Sequence, residues 1–150
     1  MKRIIFVALL AIAALFVVAC SPREVLTAEE FTLRMANAGH MVLDISHTSD
    51  IPGGEVYLIA DAGNFEVEFL VFATEGQARS MYSIMLRLME DNRGTVSSHR
   101  QSSMANFDRI TQTSSGVFEA LTRVENTLLY IYADADDRDA VNAILDLLGY

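Results

Sequence analysis

The chain has 150 residues, with 11 lysine or arginine residues against 20 aspartate or glutamate residues, and a formal net charge of −9. This acidic balance disfavours nucleic-acid binding, because phosphate groups need a basic surface. The single cysteine excludes an intrachain disulfide, so the stability of the fold has to come from a hydrophobic core.

The first twenty residues have the order of a secretory signal. Lys2 and Arg3 form a positive head, and residues 4–18 are an unbroken run of fifteen apolar residues. This run is short for a membrane-spanning helix, which takes about 20 residues. A plain signal peptide, or an uncleaved anchor with an incidental cysteine, is the alternative.

Val17-Val18-Ala19-Cys20, followed by Ser21-Pro22, resembles the lipobox of bacterial lipoproteins. The resemblance implies that residues 1–19 are removed and that the Cys20 sulfur receives a diacylglycerol. It also implies attachment to the extracytoplasmic face of the cell membrane, or to the outer membrane in a Gram-negative envelope. The mature chain would keep 9 arginines against 20 acidic residues, a formal charge of −11, and no lysine.

After the lipidated cysteine we expect a tether over residues 20–26 and a single α+β domain over residues 27–150. Thr27 and Glu30 have the spacing of a capping box, which predicts a helix over 28–38 that ends at Gly39. A short strand is predicted over 41–45.

The next stretch predicts a β-hairpin. Residues 56–60 and 65–72 are rich in β-branched and aromatic residues, and a short polar turn separates them. Glu66 and Glu68 alternate with apolar residues on the second strand, so one face of the strand should pack in the core and the other should be solvent-exposed. Phe69 is predicted to point into the core.

Thr74 and Gln77 repeat the capping spacing and predict a helix over 75–91. The polar stretch that follows contains short strand candidates at 95–97 and 107–111. A second hairpin is predicted over 116–123 and 127–133. Acidic residues 134–139 then suit the start of a last helix, in which Ile144 lies on the buried stripe.

These elements predict an antiparallel sheet of about six strands with amphipathic helices on its one apolar face, in the order α-β-β-β-α-β-β-β-α. The hairpin-then-helix unit occurs twice at an offset of 62 residues, so that Asn64 aligns with Asn126 and Ala78 with Ala140. Internal duplication is one interpretation. The other is that any two amphipathic units align this well.

Glu66 and Glu68 are the main candidates for chemistry, because two carboxylates on one strand face lie about 7 Å apart, which suits glycoside hydrolysis. A solvated sheet surface is the better explanation, because alternation alone predicts both glutamates, so no catalytic residue is assigned. Other polar groups have simpler structural explanations than a metal site or a catalytic triad; they are His40, His47, Asp50, residues 97–99, 102–103 and 134–139. No cofactor and no metal is predicted, and no phosphate-binding loop is present.

Three functions remain open. The first is a lipid-anchored binding or interaction module with a neutral or basic protein or small-molecule partner. The second is a small envelope hydrolase that uses Glu66 and Glu68 or the region of His99, and the third is a solute-capturing lipoprotein of a transporter. Asn126 to Tyr130 and the closing Leu148-Gly149-Tyr150 resemble small lipoproteins of Gram-positive cell surfaces, a resemblance that implies no activity.

Overall fold

The computed structural model describes residues 22–104 and 106–150. Cys20 and the predicted signal lie outside these residues. Within the part of the chain that is described, no helix is both long enough and apolar enough to cross a membrane.

The described chain forms three α-helices and one antiparallel sheet of seven strands, in the spatial order β1-β2-β3-β7-β6-β5-β4. The helices are α1 (Ala28–Asn37), α2 (Glu75–Asp91) and α3 (Arg138–Leu148). The strands are β1 (Met41–Asp44), β2 (Gly54–Asp61), β3 (Glu66–Phe72), β4 (Val96–Met104), β5 (Phe107–Ser114), β6 (Val117–Val124) and β7 (Thr127–Asp134). Short 3₁₀ turns occupy Ser46–Thr48 and Ala135–Asp137.

The α+β class is confirmed, but the sheet has seven strands where the sequence predicted about six. The additional strand comes from the polar stretch after α2, where the short candidate at 95–97 overlaps the start of β4, which runs for nine residues and pairs with β5 along its length. The sequence of β4, Val-Ser-Ser-His-Arg-Gln-Ser-Ser-Met, has no apolar alternation. The side-chain pattern of β4 therefore does not specify a strand. Backbone hydrogen bonds to β5 at the edge of the sheet stabilise it instead.

The helices cover both faces of the sheet, so the prediction of helices on one face was wrong. On one face, Phe31 of α1 and Leu145 of α3 pack with Phe69 of β3 in a single core. On the other face, Tyr82 of α2 packs with Leu70 of β3 and other residues in a second core. Phe69 and Leu70 are consecutive, and successive side chains of a strand point to opposite faces. Central strands that are apolar on both faces need helices on both.

Residues 23–26 do not form a free tether, because they dock onto the domain. The Arg23 guanidinium lies 4.0 Å from the centre of the Phe107 ring, and its Nη1 donates to the Gly149 carbonyl at 2.9 Å. The Asn106 side chain pairs with the Arg23 backbone in both directions, and Leu26 is buried. The folded part of the chain therefore begins about four residues earlier than predicted.

The helix boundaries follow from their caps. At α1 the Thr27 hydroxyl accepts from the Glu30 amide at 3.2 Å, and the Glu30 carboxylate accepts from the Thr27 amide at 3.0 Å, which confirms the capping box. The acidic stretch before α3 behaves differently from the prediction. Neither Asp134 nor Asp137 caps through its side chain; the Asp137 carboxylate accepts instead from Asn64.

In the two hairpin-helix units, the helix packs on opposite faces of the sheet. In the first unit α2 packs against the face that carries Leu70, whereas in the second α3 packs against the face that carries Phe69. The adjacent strands β3 and β7 are antiparallel, so a two-fold axis that relates them would be perpendicular to the sheet. Such an axis would place both helices on the same face. The units are thus not related by that symmetry.

One arginine is completely buried beneath the start of α2. The Arg123 Nε donates to Asp108 Oδ2 at 2.7 Å, and its Nη1 lies 3.2 Å from Glu75 Oε1 and donates to the Glu125 carbonyl at 3.0 Å. This cluster joins β6, β5 and the first turn of α2.

Candidate functional site

Part of the sheet face next to α2 carries an acidic and aromatic surface. Leu70, Leu121 and Leu128 belong to the core that the helix covers. Neighbouring residues on the same face stay half-buried or exposed, and we call them the acidic aromatic face: Tyr57, Glu66, Glu68, Glu119, Tyr130 and Tyr132.

The strand register brings these side chains together. Tyr132 of β7 is paired with Glu66 of β3 on one side and with Glu119 of β6 on the other. Glu68 is paired with Tyr130, the next residue of β7 that points to this face. Directly paired residues have Cβ atoms about 4.5–5.5 Å apart, so each tyrosine lies in direct contact range of a carboxylate.

A short hydrogen bond holds Glu68 in place. The Tyr57 hydroxyl donates to Glu68 Oε2 at 2.5 Å across the β2–β3 pair. Burial raises the pKa of Glu68 and Glu66 adds to the effect, whereas the bond from Tyr57 opposes it. Burial, and then the Glu68 carboxylate, also raise the pKa of Tyr57. Glu68 is therefore a desolvated carboxylate that a positive ligand would stabilise in its charged form.

Glu119 is positioned by two donors. The Tyr130 hydroxyl donates to Glu119 Oε1 at 3.0 Å, and the Gln112 amide donates to Glu119 Oε2 at 2.6 Å. Gln112 is 1% exposed and also donates to the Met89 carbonyl at the end of α2. Burial and the Glu119 carboxylate raise the pKa of Tyr130. Hydrogen bonds from Gln112 thus connect the end of α2 to the Glu119 carboxylate.

Large exposed apolar side chains border the acidic aromatic face. Met41 and Leu43 of β1 are 73% and 59% exposed, and Leu43 is paired with Ile59 on β2. Leu88 of α2 is 54% exposed and lies beside Tyr130 and Glu119. Since β1 is at one end of the strand order, its outer edge has no partner strand within the described chain.

Carboxylates next to tyrosine rings favour a cationic ligand, because the ring faces and the carboxylates both attract positive charge. Within the described residues, no group of three or more histidine, cysteine, aspartate or glutamate side chains is placed to hold a metal ion. Acid-base chemistry would have to use Glu68, whose pKa is raised, together with the exposed Glu66.

The other candidates from the sequence do not converge on this surface. His40 precedes β1, His47 lies in the first 3₁₀ turn, and Asp50 is exposed in the loop that follows. His99 lies on β4 with its Nδ1 3.3 Å from Arg93. The Ser103 hydroxyl donates to Asp108, away from any imidazole. Cys20 lies outside the described residues.

The sequence analysis identified Glu66 and Glu68 but missed Glu119, Tyr130 and Tyr132. The alternation of Leu128, Tyr130 and Tyr132 could have placed both tyrosines on one face of β7. No local pattern indicated that β7 would lie between β3 and β6.

No family model matches the chain, and no curated protein matches it either. Its fold is similar to the crystal structure of a GTP-binding regulator from Thermotoga maritima, with a TM-score of 0.51 and 12% sequence identity. The match covers 85% of this chain and 91% of that protein. At this identity the likeness shows a shared fold.

Proposed function

We propose that this protein is a lipid-anchored extracytoplasmic binding module whose acidic aromatic face takes a basic partner. The observation that carries the proposal is the convergence of Glu66, Glu68 and Glu119 with Tyr130 and Tyr132 on one exposed sheet surface. The partner is a protein segment that presents lysine or arginine, or a small organic cation.

The chemistry of the surface supports a basic partner over a neutral or acidic one. A formal charge of −11 after loss of the signal repels acidic polymers, within about 8 Å at physiological salt. Two tyrosine rings can hold an ammonium or guanidinium group while the carboxylates neutralise it. Exposed Met41 and Leu43 add apolar area beside the charged centre, as expected at an interaction surface.

The location depends on Cys20 and on the lipobox resemblance of the residues before it. Since Arg23 is already docked on the domain, Ser21 and Pro22 would be the whole spacer between the lipid and the folded part. A two-residue spacer spans about 7 Å, so the module would sit against the membrane.

The binding surface can be tested with a fluorescent poly-lysine peptide and the full-length protein in detergent. We expect saturable binding that weakens as salt increases, and a roughly tenfold loss of affinity in the double variant Glu66→Gln/Glu68→Gln. The matched control is Glu24→Gln/Glu29→Gln, which removes the same charge from exposed positions near α1 and should change the affinity less than about twofold. Equal losses in the two double variants would show that net charge, and not this surface, binds the peptide.

A hydrolase is the second candidate, because the raised pKa of Glu68 beside Glu66 is compatible with an acid and base pair. Turnover of cell-wall glycans or peptides by the wild-type protein, lost in folded Glu66→Gln/Glu68→Gln, would replace the binding proposal. Solute capture for a transporter is less well supported, because two closing lobes are usual there and one sheet runs through the described domain. The similar structure from Thermotoga maritima is a GTP-binding regulator, whereas the sequence of this chain shows no phosphate-loop motif.

A further inference from the structure

A groove of about 780 Å³ lies on the opposite side of the sheet from the acidic aromatic face, between β4, β5 and the stretch of α3 from Arg138 to Asp146. Arg100 and Arg109 come from the strands and Arg138 from the start of α3. We call this the arginine groove. The cross-strand pairs Arg100 with Thr111 and Ser102 with Arg109 place these side chains on the α3 side.

The groove concentrates positive charge in a protein that is otherwise acidic. It holds three of the nine arginines in residues 22–150. Among the described residues that line it, Asp146 is the single acidic one. The local balance is therefore opposite in sign to that of the whole chain.

Within the described residues, no ion pair neutralises Arg100 or Arg138. The side chains of Arg100 and Arg138 make no hydrogen bond or ion pair with a residue of the described ranges, although Arg138 lies 5.7 Å from the centre of the Phe118 ring. In contrast, Arg79 and Arg123 are both paired with the Glu75 carboxylate. The donors of Arg100 and Arg138 are thus without a protein acceptor among the described residues, whereas Arg79 and Arg123 bind a carboxylate.

Arg109 is the most enclosed of the three. It is half-buried, and its Nη1 donates to the Tyr150 carbonyl at 3.3 Å. Burial and then the nearby Arg23 lower the pKa of Arg109, and Asp146 compensates in part. A bound anion would relieve this unfavourable electrostatic environment.

We propose that the arginine groove binds an oxyanion, either the phosphate or the carboxylate groups of a ligand. Guanidinium groups recognise both through paired hydrogen bonds, and the Asn142 amide and the Thr111 hydroxyl line the same groove. Its volume lies within the range of about 300–1,000 Å³ that is usual for small-molecule sites. This site is separate from the acidic aromatic face in position and in charge.

The oxyanion can come from two sources. One is a soluble phosphate or carboxylate compound. The other is the headgroup of an anionic lipid, because Arg23 is close enough to interact with Arg109 and lies three residues after Cys20. The chemistry of recognition is the same in both cases.

The test uses the full-length protein in detergent, titrated by calorimetry with inorganic phosphate and with citrate, and a parallel flotation assay that compares phosphatidylglycerol vesicles with neutral phosphatidylcholine vesicles, because the proposed lipid anchor inserts into both. We expect saturable binding in at least one arm. Arg100→Gln and Arg138→Gln should each weaken it roughly tenfold. Asp146→Asn should tighten it, since it removes the single carboxylate among the described residues that line the groove. Binding of the soluble anions identifies the first source, and a preference for phosphatidylglycerol over phosphatidylcholine vesicles without binding of the soluble anions identifies the second.

The matched control is Arg87→Gln, which makes the same change at an exposed position of α2, on the other side of the sheet. It should alter affinity less than about twofold. The proposal is overturned if no probe binds saturably, or if Arg87→Gln weakens binding as much as Arg100→Gln and Arg138→Gln. Unchanged far-ultraviolet circular dichroism in each variant shows that a loss of binding is not a loss of fold.

Discussion

At the residue scale, Phe69 is the best placed core side chain of β3. It is 0% exposed and stacks on Phe31 of α1 with the ring centres 4.7 Å apart. Phe69→Ala should therefore lower the free energy of unfolding by about 3–5 kcal/mol, measured by chemical denaturation. Leu33→Ala on the exposed side of α1 should change it by less than about 1 kcal/mol. A loss below about 1 kcal/mol for Phe69→Ala would contradict the buried position.

Glu68 makes a specific pH dependence testable. Because burial raises its pKa, the folded protein binds this proton more tightly than the unfolded chain does. The contribution of Glu68 to the free energy of unfolding is therefore most favourable below the usual pKa of a glutamate, and it falls as the pH rises through the raised value. Glu68→Gln keeps an acceptor for Tyr57 and removes the titration.

Denaturation of the wild type and of Glu68→Gln between about pH 4 and about pH 7 should show the variant gaining in relative stability as the pH increases. Leu33→Ala at an exposed position on α1 is the control, because it removes no titratable group, and its difference from the wild type should stay nearly constant. A Glu68→Gln difference that stays constant, or that changes in the opposite direction, would contradict the desolvation of Glu68.

At the element scale, the buried Arg123 joins α2 to the sheet. Arg123→Met removes the partner of Asp108, whose side chain is 14% exposed, and should cost about 3–5 kcal/mol of unfolding free energy. Arg79→Met breaks the exposed pair with the same Glu75 and should cost less than about 1 kcal/mol. Thermal and chemical unfolding of both variants measure the difference. Similar costs would show that the buried cluster does not stabilise the docking of α2.

At the scale of the whole molecule, the fold separates two surfaces of opposite charge on the two sides of one sheet. The acidic aromatic face lies on the α2 side and the arginine groove on the α3 side. The negative net charge of the chain therefore has the sign of the acidic aromatic face and does not describe the arginine groove. A basic partner and an oxyanion could be bound at the same time without competing.

The proposed anchor is tested on the whole protein in cells. Cys20→Ala should abolish labelling by a fatty-acid probe and leave residues 1–19 uncut, because the thioether can form at no other residue: the chain has one cysteine. Ser21→Ala serves as the control and should be labelled and processed like the wild type. Labelling that survives in Cys20→Ala would refute the lipid anchor.

The sequence by itself determined the features that depend on near neighbours in the chain. The capping residues Thr27 and Thr74 and the stop at Gly39 set the helix ends, and alternation in β3 placed Phe69 inside and Glu66 outside. These features are local, because caps act within one turn and the direction of a side chain alternates with every residue of a strand.

The tertiary structure alone decided which strands are neighbours and which face each helix covers. The insertion of β7 between β3 and β6 brings Tyr132 between Glu66 and Glu119, and the pairing of β4 with β5 places Arg100 beside the start of α3. The polar sequence of β4 does not predict that this strand pairs with β5. Contacts between residues that are far apart in the chain arise from the packing of the whole sheet, so a pattern read within a short window does not contain them.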